Sequence, residues 1–293
     1  MAFFKHIRQA IANLNPEDVR QSAERTVNVG IVAPTQEALW RIEAFLCPPD
    51  LASAKRAEVS RHIHRMNWNQ RPAVPVDFEI WDSSLAVPEH ALVFDPRNHE
   101  RTVKEILRKR PELEIALART FPGFRKQVIE CVVARISKEN ALFSMATAIP
   151  DMIPFLTLPW VVGEFASDTA FLTMNQVRMA FLIGAASERG IGYRAQKREI
   201  ASVIAGAFGF RAIARELVGK IPFGGGLIPK AIVAYAGTQV VGRSIERVYR
   251  SGSVLTGPER HVEYTNAFER GKQVVTRLLE SVRARQLAPT RGE

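Results

Sequence analysis

The residues of this chain best placed to do chemistry sit where an apolar run meets an amphipathic one. Val27-Asn28-Val29-Gly30-Ile31-Val32-Ala33 reads as a buried strand, and Pro34-Thr35-Gln36-Glu37 opens a helix that continues to Leu46. A strand feeding a helix is where a phosphate-binding loop belongs, with the pattern Gly, four residues, then Gly-Lys-Ser or Gly-Lys-Thr. The glycines let backbone N–H groups wrap the phosphates, the lysine supplies charge and the hydroxyl binds magnesium. Gly30 holds the first position, but Thr35 stands at the second glycine, Gln36 at the lysine and Glu37 at the hydroxyl. Glu37 sets a carboxylate where polyphosphate and magnesium would lie, Gln36 brings no charge, and Pro34 removes a backbone donor.

Downstream, Asp77-Phe78-Glu79-Ile80-Trp81-Asp82-Ser83-Ser84 resembles the GTPase strand that ends in Asp-Thr-Pro-Gly, and puts Asp82 where a magnesium contact would be. The guanine-reading pattern Asn-Lys-x-Asp is missing near Ala118-Arg119-Thr120-Phe121, where it would be expected. Gly30, Thr35, Gln36, Glu37 and Asp82 therefore outline a degenerate, inactive nucleotide site, with no GTP, cofactor or metal expected. A non-standard anion at the Thr35 helix start is the alternative, because helix N-termini attract anions. Neither Gly-x-Ser-x-Gly nor His-Glu-x-x-His occurs. His62 and His64 read as loop residues rather than metal ligands, and Cys47 and Cys131 as reduced thiols without metal or disulfide spacing. On these residues, no enzymatic activity is expected.

The elements that would hold this site follow from periodicity. Residues 1–26 form a helical leader, whose Phe3, Phe4, Ile7, Ile11 and Leu14 recur at helical spacing and suit either a membrane interface or a docked helix. Thr35 is placed to cap the next helix, and Cys47-Pro48-Pro49 stops it. A basic stretch follows, with Lys55, Arg56, Arg61 and Arg65. Strands are expected at 74–82, 91–95 and 113–118, with a charged helix at 98–109. Strand–helix alternation over 27–121 implies an α/β domain with a small, largely parallel sheet of the P-loop GTPase type. From Arg125 onward the pattern is helical, giving an all-α apolar domain at 122–252 and a C-terminal helix and tail at 253–293.

Two segments of the second half, 141–165 and 200–241, are unusually apolar. Pro150, Asp151, Pro154 and Pro159 interrupt the first, and charges at Arg211, Arg215, Glu216 and Lys220 interrupt the second, so neither is a plain spanning helix. Broken, re-entrant or interfacial hairpins fit better. Asp168, Asn175, Arg178, Arg211, Arg215 and Glu216 in this apolar setting imply a buried polar network that fixes helix order, with Asp168 paired to Arg178, Arg211 or Arg215. A ligand pocket is the alternative. Ala234, Thr238 and Gly242 repeat at a four-residue interval that permits close helix packing. Lys230, Arg243, Arg247 and Arg250 are candidates to hold anionic lipid heads, or else form a solvated face.

The chain of 293 residues carries a formal net charge of +10. That balance favours an anionic partner, nucleic acid or membrane. No helix-turn-helix, zinc finger or aromatic RNA-binding pattern is present, so nucleic acid is not expected. No secretory signal is evident at the start, and a cytoplasmic location is expected.

Several runs resemble a known bacterial family. They are Phe121-Pro122-Gly123-Phe124-Arg125, Glu139-Asn140-Ala141, Ile149-Pro150-Asp151-Met152-Ile153-Pro154, Asp168 with Leu172-Thr173-Met174-Asn175-Gln176, Phe208-Gly209-Phe210-Arg211-Ala212-Ile213-Ala214-Arg215-Glu216-Leu217-Val218-Gly219, and Ala234-Tyr235-Ala236-Gly237-Thr238. Together they resemble domain of unknown function 697, the YcjF-like region often found after Era-type GTPase domains, over about residues 121–250. The resemblance implies an α-helical, membrane-associated module without an established activity. The expected function is a non-catalytic scaffold or regulator on a pseudo-GTPase domain. It would sit on the inner face of an anionic membrane, with unidentified protein partners or as a homo-oligomer. The alternatives are a soluble oligomeric interaction module and a GTPase with non-standard nucleotide binding.

Overall fold

The computed structural model describes residues 14–67, 74–147, 168–209 and 227–287. The chain divides into two units: Glu17–Glu130 with Ala185–Gly190, and Met1–Pro16 with Cys131–Gly184 and Ile191–Glu293.

The first unit is α/β. Its chain runs α1 (Pro16–Glu24), β1 (Val29–Val32), α2 (Gln36–Leu46), α3 (Ser53–Ser60), β2 (Ile63–Arg65), β3 (Phe78–Asp82), β4 (Leu92–Phe94) and α4 (His99–Lys109). A 3-10 turn at Pro111–Leu113 and α5 (Glu114–Thr120) follow, and α6 (Pro122–Ala146) begins in this unit. The four strands lie in the order β2-β1-β3-β4, and every pair is parallel. That is the order of the first four strands of a doubly wound 2-1-3-4-5 sheet. All of β1 is buried, as a central strand covered on both faces must be.

Local chemistry sets the helix ends. Thr35 is extended (φ −134°, ψ 157°) and its Oγ1 accepts from the Ala38 N–H at 3.2 Å, capping α2. Asn98 does the same for α4, accepting from the Arg101 N–H at 3.0 Å, and Arg108 and Lys109 lie at the negative end.

The segment 113–118 is not a fifth strand. Leu113 closes the 3-10 turn begun by Pro111, and Glu114 onward is helix. Leu113, Ile115, Ala116, Leu117 and Ala118 are all buried, and an apolar run of this length has the same pattern in a buried strand and in a buried helix. The place a fifth strand would take is also occupied. Thr102 Oγ1 accepts from the Asp95 N–H at 2.9 Å and donates to the Val93 carbonyl at 3.3 Å. Lys109 Nζ reaches the Ala91 carbonyl at 3.4 Å. Two side chains of α4 thus occupy the Val93 carbonyl and the flanking Ala91 carbonyl and Asp95 N–H along the outer edge of β4. The strand expected at 74–82 is shorter, beginning at Phe78 beyond Pro75, and His64 lies on β2 rather than in a loop.

The second unit is helical, with the rest of α6, then α7 (Asp168–Ala186), α8 (Lys197–Gly209), α9 (Leu227–Ser251) and α10 (Gly257–Leu287). The short connection between α9 and α10 contains Gly252 at φ +69°, the left-handed conformation that ends a helix. A capping box then starts α10. Glu259 accepts from the Thr256 N–H and hydroxyl, each at 2.8 Å, while Thr256 Oγ1 accepts from the Glu259 N–H at 3.4 Å. The two helices run back along each other. Met145, Tyr235, Tyr264, Phe268 and Val275 form their core, and a Cβ on Gly271 would lie 3.1 Å from Tyr235. Gly242, among the spaced small residues, lets α9 approach α6 instead: a Cβ there would come within 2.6 Å of Val133. Among the described residues, no helix is long and apolar enough to cross a membrane.

Candidate functional site

In a doubly wound sheet, ligands bind outside the carboxyl ends of the strands, where successive connections leave in opposite directions. Here that point lies between β1 and β3, because β2 flanks β1 on one side and β3 on the other. The residues around it are those that the strand–helix junction singled out.

Gly30 lies within β1, beside His64 on β2 and Glu79 on β3, not in a loop. A Cβ there would meet Met66 Sδ at 2.4 Å, so the glycine serves close packing. Thr35 directs its hydroxyl to Ala38 N–H, inside its own helix. Gln36 is exposed and its amide oxygen accepts from Trp40 Nε1 at 2.6 Å and from Arg65 Nη1 at 3.2 Å. Glu37 is exposed in the first turn of α2. Arg65, the cation that reaches Gln36, is held by Glu43 through two contacts of 2.5 and 2.8 Å.

Asp82 closes β3 and is 5% exposed. One carboxylate oxygen accepts from the Ser84 N–H at 3.0 Å and from the Ser84 hydroxyl at 2.6 Å. This local turn engages one of the two carboxylate oxygens. Beside it, Val32, Trp81 and Ala91 pack together, with Met66, Leu85 and Val87 against them. The carboxyl end of β1 and β3 is therefore lined by an apolar cluster and a carboxylate turned onto its own loop. An anion approaching α2 meets the Glu37 carboxylate, a missing donor at Pro34 and a first-turn N–H already bound to Thr35. Among the described residues, no three His, Cys, Asp or Glu side chains converge to hold a metal ion.

The second candidate lies in the helical unit. Asn175 Nδ2 donates to Asn140 Oδ1 at 2.9 Å, and Asn140 Nδ2 donates to Thr238 Oγ1 at 2.8 Å. Gln176 Nε2 donates to the same Thr238 oxygen at 3.2 Å, and the Thr238 hydroxyl donates to the Ala234 carbonyl at 2.8 Å. All four side chains are buried. The network joins α6, α7 and α9 by neutral amides and a hydroxyl, a chain of donors and acceptors that fixes which faces meet. Only Asn175 was singled out from sequence as a network member. Asn140, Gln176 and Thr238 were missed as partners, although each stands in a run that carries the family resemblance.

The charged residues behave differently. Arg178 pairs with Glu139 at 3.5 Å, and burial raises the Glu139 pKa against the pull of Arg178 and Arg135. Asp168 begins α7, with its side chain outside the described residues, as are Arg211, Arg215 and Glu216. Of the basic set, Lys230 donates to Thr147 Oγ1 at 3.2 Å, and Arg243 and Arg250 lie 3.0 and 3.9 Å from Glu246. Arg247 pairs with Glu259 at 2.8 Å.

Compared with known proteins, the chain matches no protein family, no curated protein and no solved structure.

Proposed function

We propose that this protein is a non-catalytic scaffold, in which a nucleotide-domain-like α/β unit with a degenerate, inactive site is joined to an interaction unit of helices. The observation that carries this reading is the fate of Asp82. Its carboxylate serves Ser84, beside an apolar cluster, at the one place where the sheet topology favours a ligand. The environment of Glu37 adds electrostatic cost for any phosphate there. A hydrolysis assay tests the reading. With GTP or ATP and magnesium, the full chain releases no more phosphate than an acid-denatured sample. Turnover that is lost in Asp82→Ala would defeat it.

A peripheral place at an anionic membrane surface is part of this proposal. Its support is the net charge of +10, since each basic residue near an anionic surface contributes about 1 kcal/mol. The ion pairs of Arg243, Arg247 and Arg250 reduce what those three offer, so the contact draws on the summed field of the chain.

A further inference from the structure

The two edges of the four-stranded sheet are built differently. The β4 edge is stoppered by Thr102 and Lys109. At β2, the His62 carbonyl accepts from the Val29 N–H and the Met66 N–H donates to the Ile31 carbonyl. The parallel ladder therefore turns the main chain of His62, His64 and Met66 toward β1, and that of Ile63 and Arg65 outward. Neither Ile63 nor Arg65 has a main-chain partner on that outer side among the described residues. Such a row of unpaired groups is a template for another strand.

A cavity of about 810 Å³ lies against this edge, lined by Trp40, Ala44, Cys47, Ile63, Met66 and Val74 among others. Trp40 is 58% exposed and Val74 42%, large apolar side chains left open beside it. Glu43, Arg56 and Arg65 line it as well. Arg65 is neutralised by Glu43, but Arg56 donates only to the Pro49 and Leu51 carbonyls. Arg61, exposed in the turn before β2, has no ion pair among the described residues.

We propose that the outer edge of β2 is a docking site for an extended, acidic segment of a partner protein, which adds to the sheet as a fifth strand. Its main chain exchanges hydrogen bonds with Ile63 and Arg65, one apolar side chain enters the cavity beside Trp40, and its carboxylates face Arg56 and Arg61. The closed β4 edge explains why addition happens at one side only. The proposal deepens the scaffold reading by naming the chemistry of a partner.

Amide hydrogen exchange on the full chain tests it, with a blocked hexapeptide of alternating valine and glutamate as the probe and its valine–lysine counterpart as the control. The valine–glutamate peptide slows exchange at Ile63 and Arg65 about tenfold and leaves Asp95 unchanged, and the lysine peptide does nothing. Arg65→Pro removes an N–H that points away from β1 and abolishes the effect, whereas Arg65→Ala keeps it. Unchanged exchange at Ile63 and Arg65 overturns the proposal, as does equal slowing by the lysine peptide. Slowing that appears with protein concentration alone overturns it too, by making a second copy the occupant. Nucleotide turnover is untouched by any of these results, so this proposal and the scaffold reading fail separately.

Discussion

Asn140 uses both ends of its carboxamide, accepting from Asn175 and donating to Thr238, inside a unit where water cannot substitute. Asn140→Leu leaves a buried donor on Asn175 without its acceptor, which costs about 2–3 kcal/mol by chemical denaturation. Replacing both Asn140 and Asn175 by leucine recovers part of that loss, because removing both partners is cheaper than orphaning one. Strict additivity of the two would contradict the network. Glu259 provides a second residue-level case. Hydrogen bonds from the Thr256 main chain and hydroxyl, then the Arg247 contact, lower its pKa from the ordinary 4.5 to about 2. A depressed carboxylate pKa stabilises the fold above the unfolded value and loses that effect as pH falls through the folded one. Glu259→Gln is therefore less stable than the parent at neutral pH, and the gap closes between pH 4.5 and about 2. A gap independent of pH across that window would show that the charge contributes nothing. Asp82 was legible as a carboxylate at a strand end. Its use by Ser84 was also written in the local Asp-Ser-Ser sequence, which favours a side-chain turn over a metal contact.

At the scale of elements, the helix starts were the most readable features. Thr35 before Gln36 and Asn98 before His99 are side chains that bind the backbone within their own turn, so three or four residues decide them. The segment 113–118 failed for the opposite reason. Its state is not decided within the segment: Thr102 and Lys109, on the helix just before it, close the edge it would have joined. Thr102→Val deprives the Asp95 N–H and Val93 carbonyl of their partner and lowers stability by about 1–2 kcal/mol. It also reopens an edge, so sedimentation velocity finds more self-association than in the parent protein. An unchanged sedimentation profile would remove the stopper role. Helix α6 starts at a close contact: a Cβ at Gly123 would fall 1.8 Å from the Phe45 carbonyl oxygen. Because the obstacle is backbone, Gly123→Ala destabilises by about 3 kcal/mol, at the upper end of overpacking costs.

For the whole molecule, charge and topology carry different messages. The surplus of +10 acts at long range and is screened by salt. Flotation with vesicles containing anionic lipid recovers the chain at low ionic strength and releases it as salt is raised. Protein that stays at the bottom with such vesicles at low salt contradicts the membrane setting. The strand order β2-β1-β3-β4 was beyond reach of the sequence, since each strand pairs with segments tens of residues away. Yet this order locates the ligand crevice, and only the folded arrangement brings Val32, Trp81 and Met66 together there. A scaffold role requires that crevice to be closed to nucleotides. Isothermal titration of the full chain with magnesium GTP measures this most directly. No saturable heat is predicted up to millimolar nucleotide. Stoichiometric binding in the micromolar range, weakened by Thr35→Ala and Asp82→Ala, would contradict it.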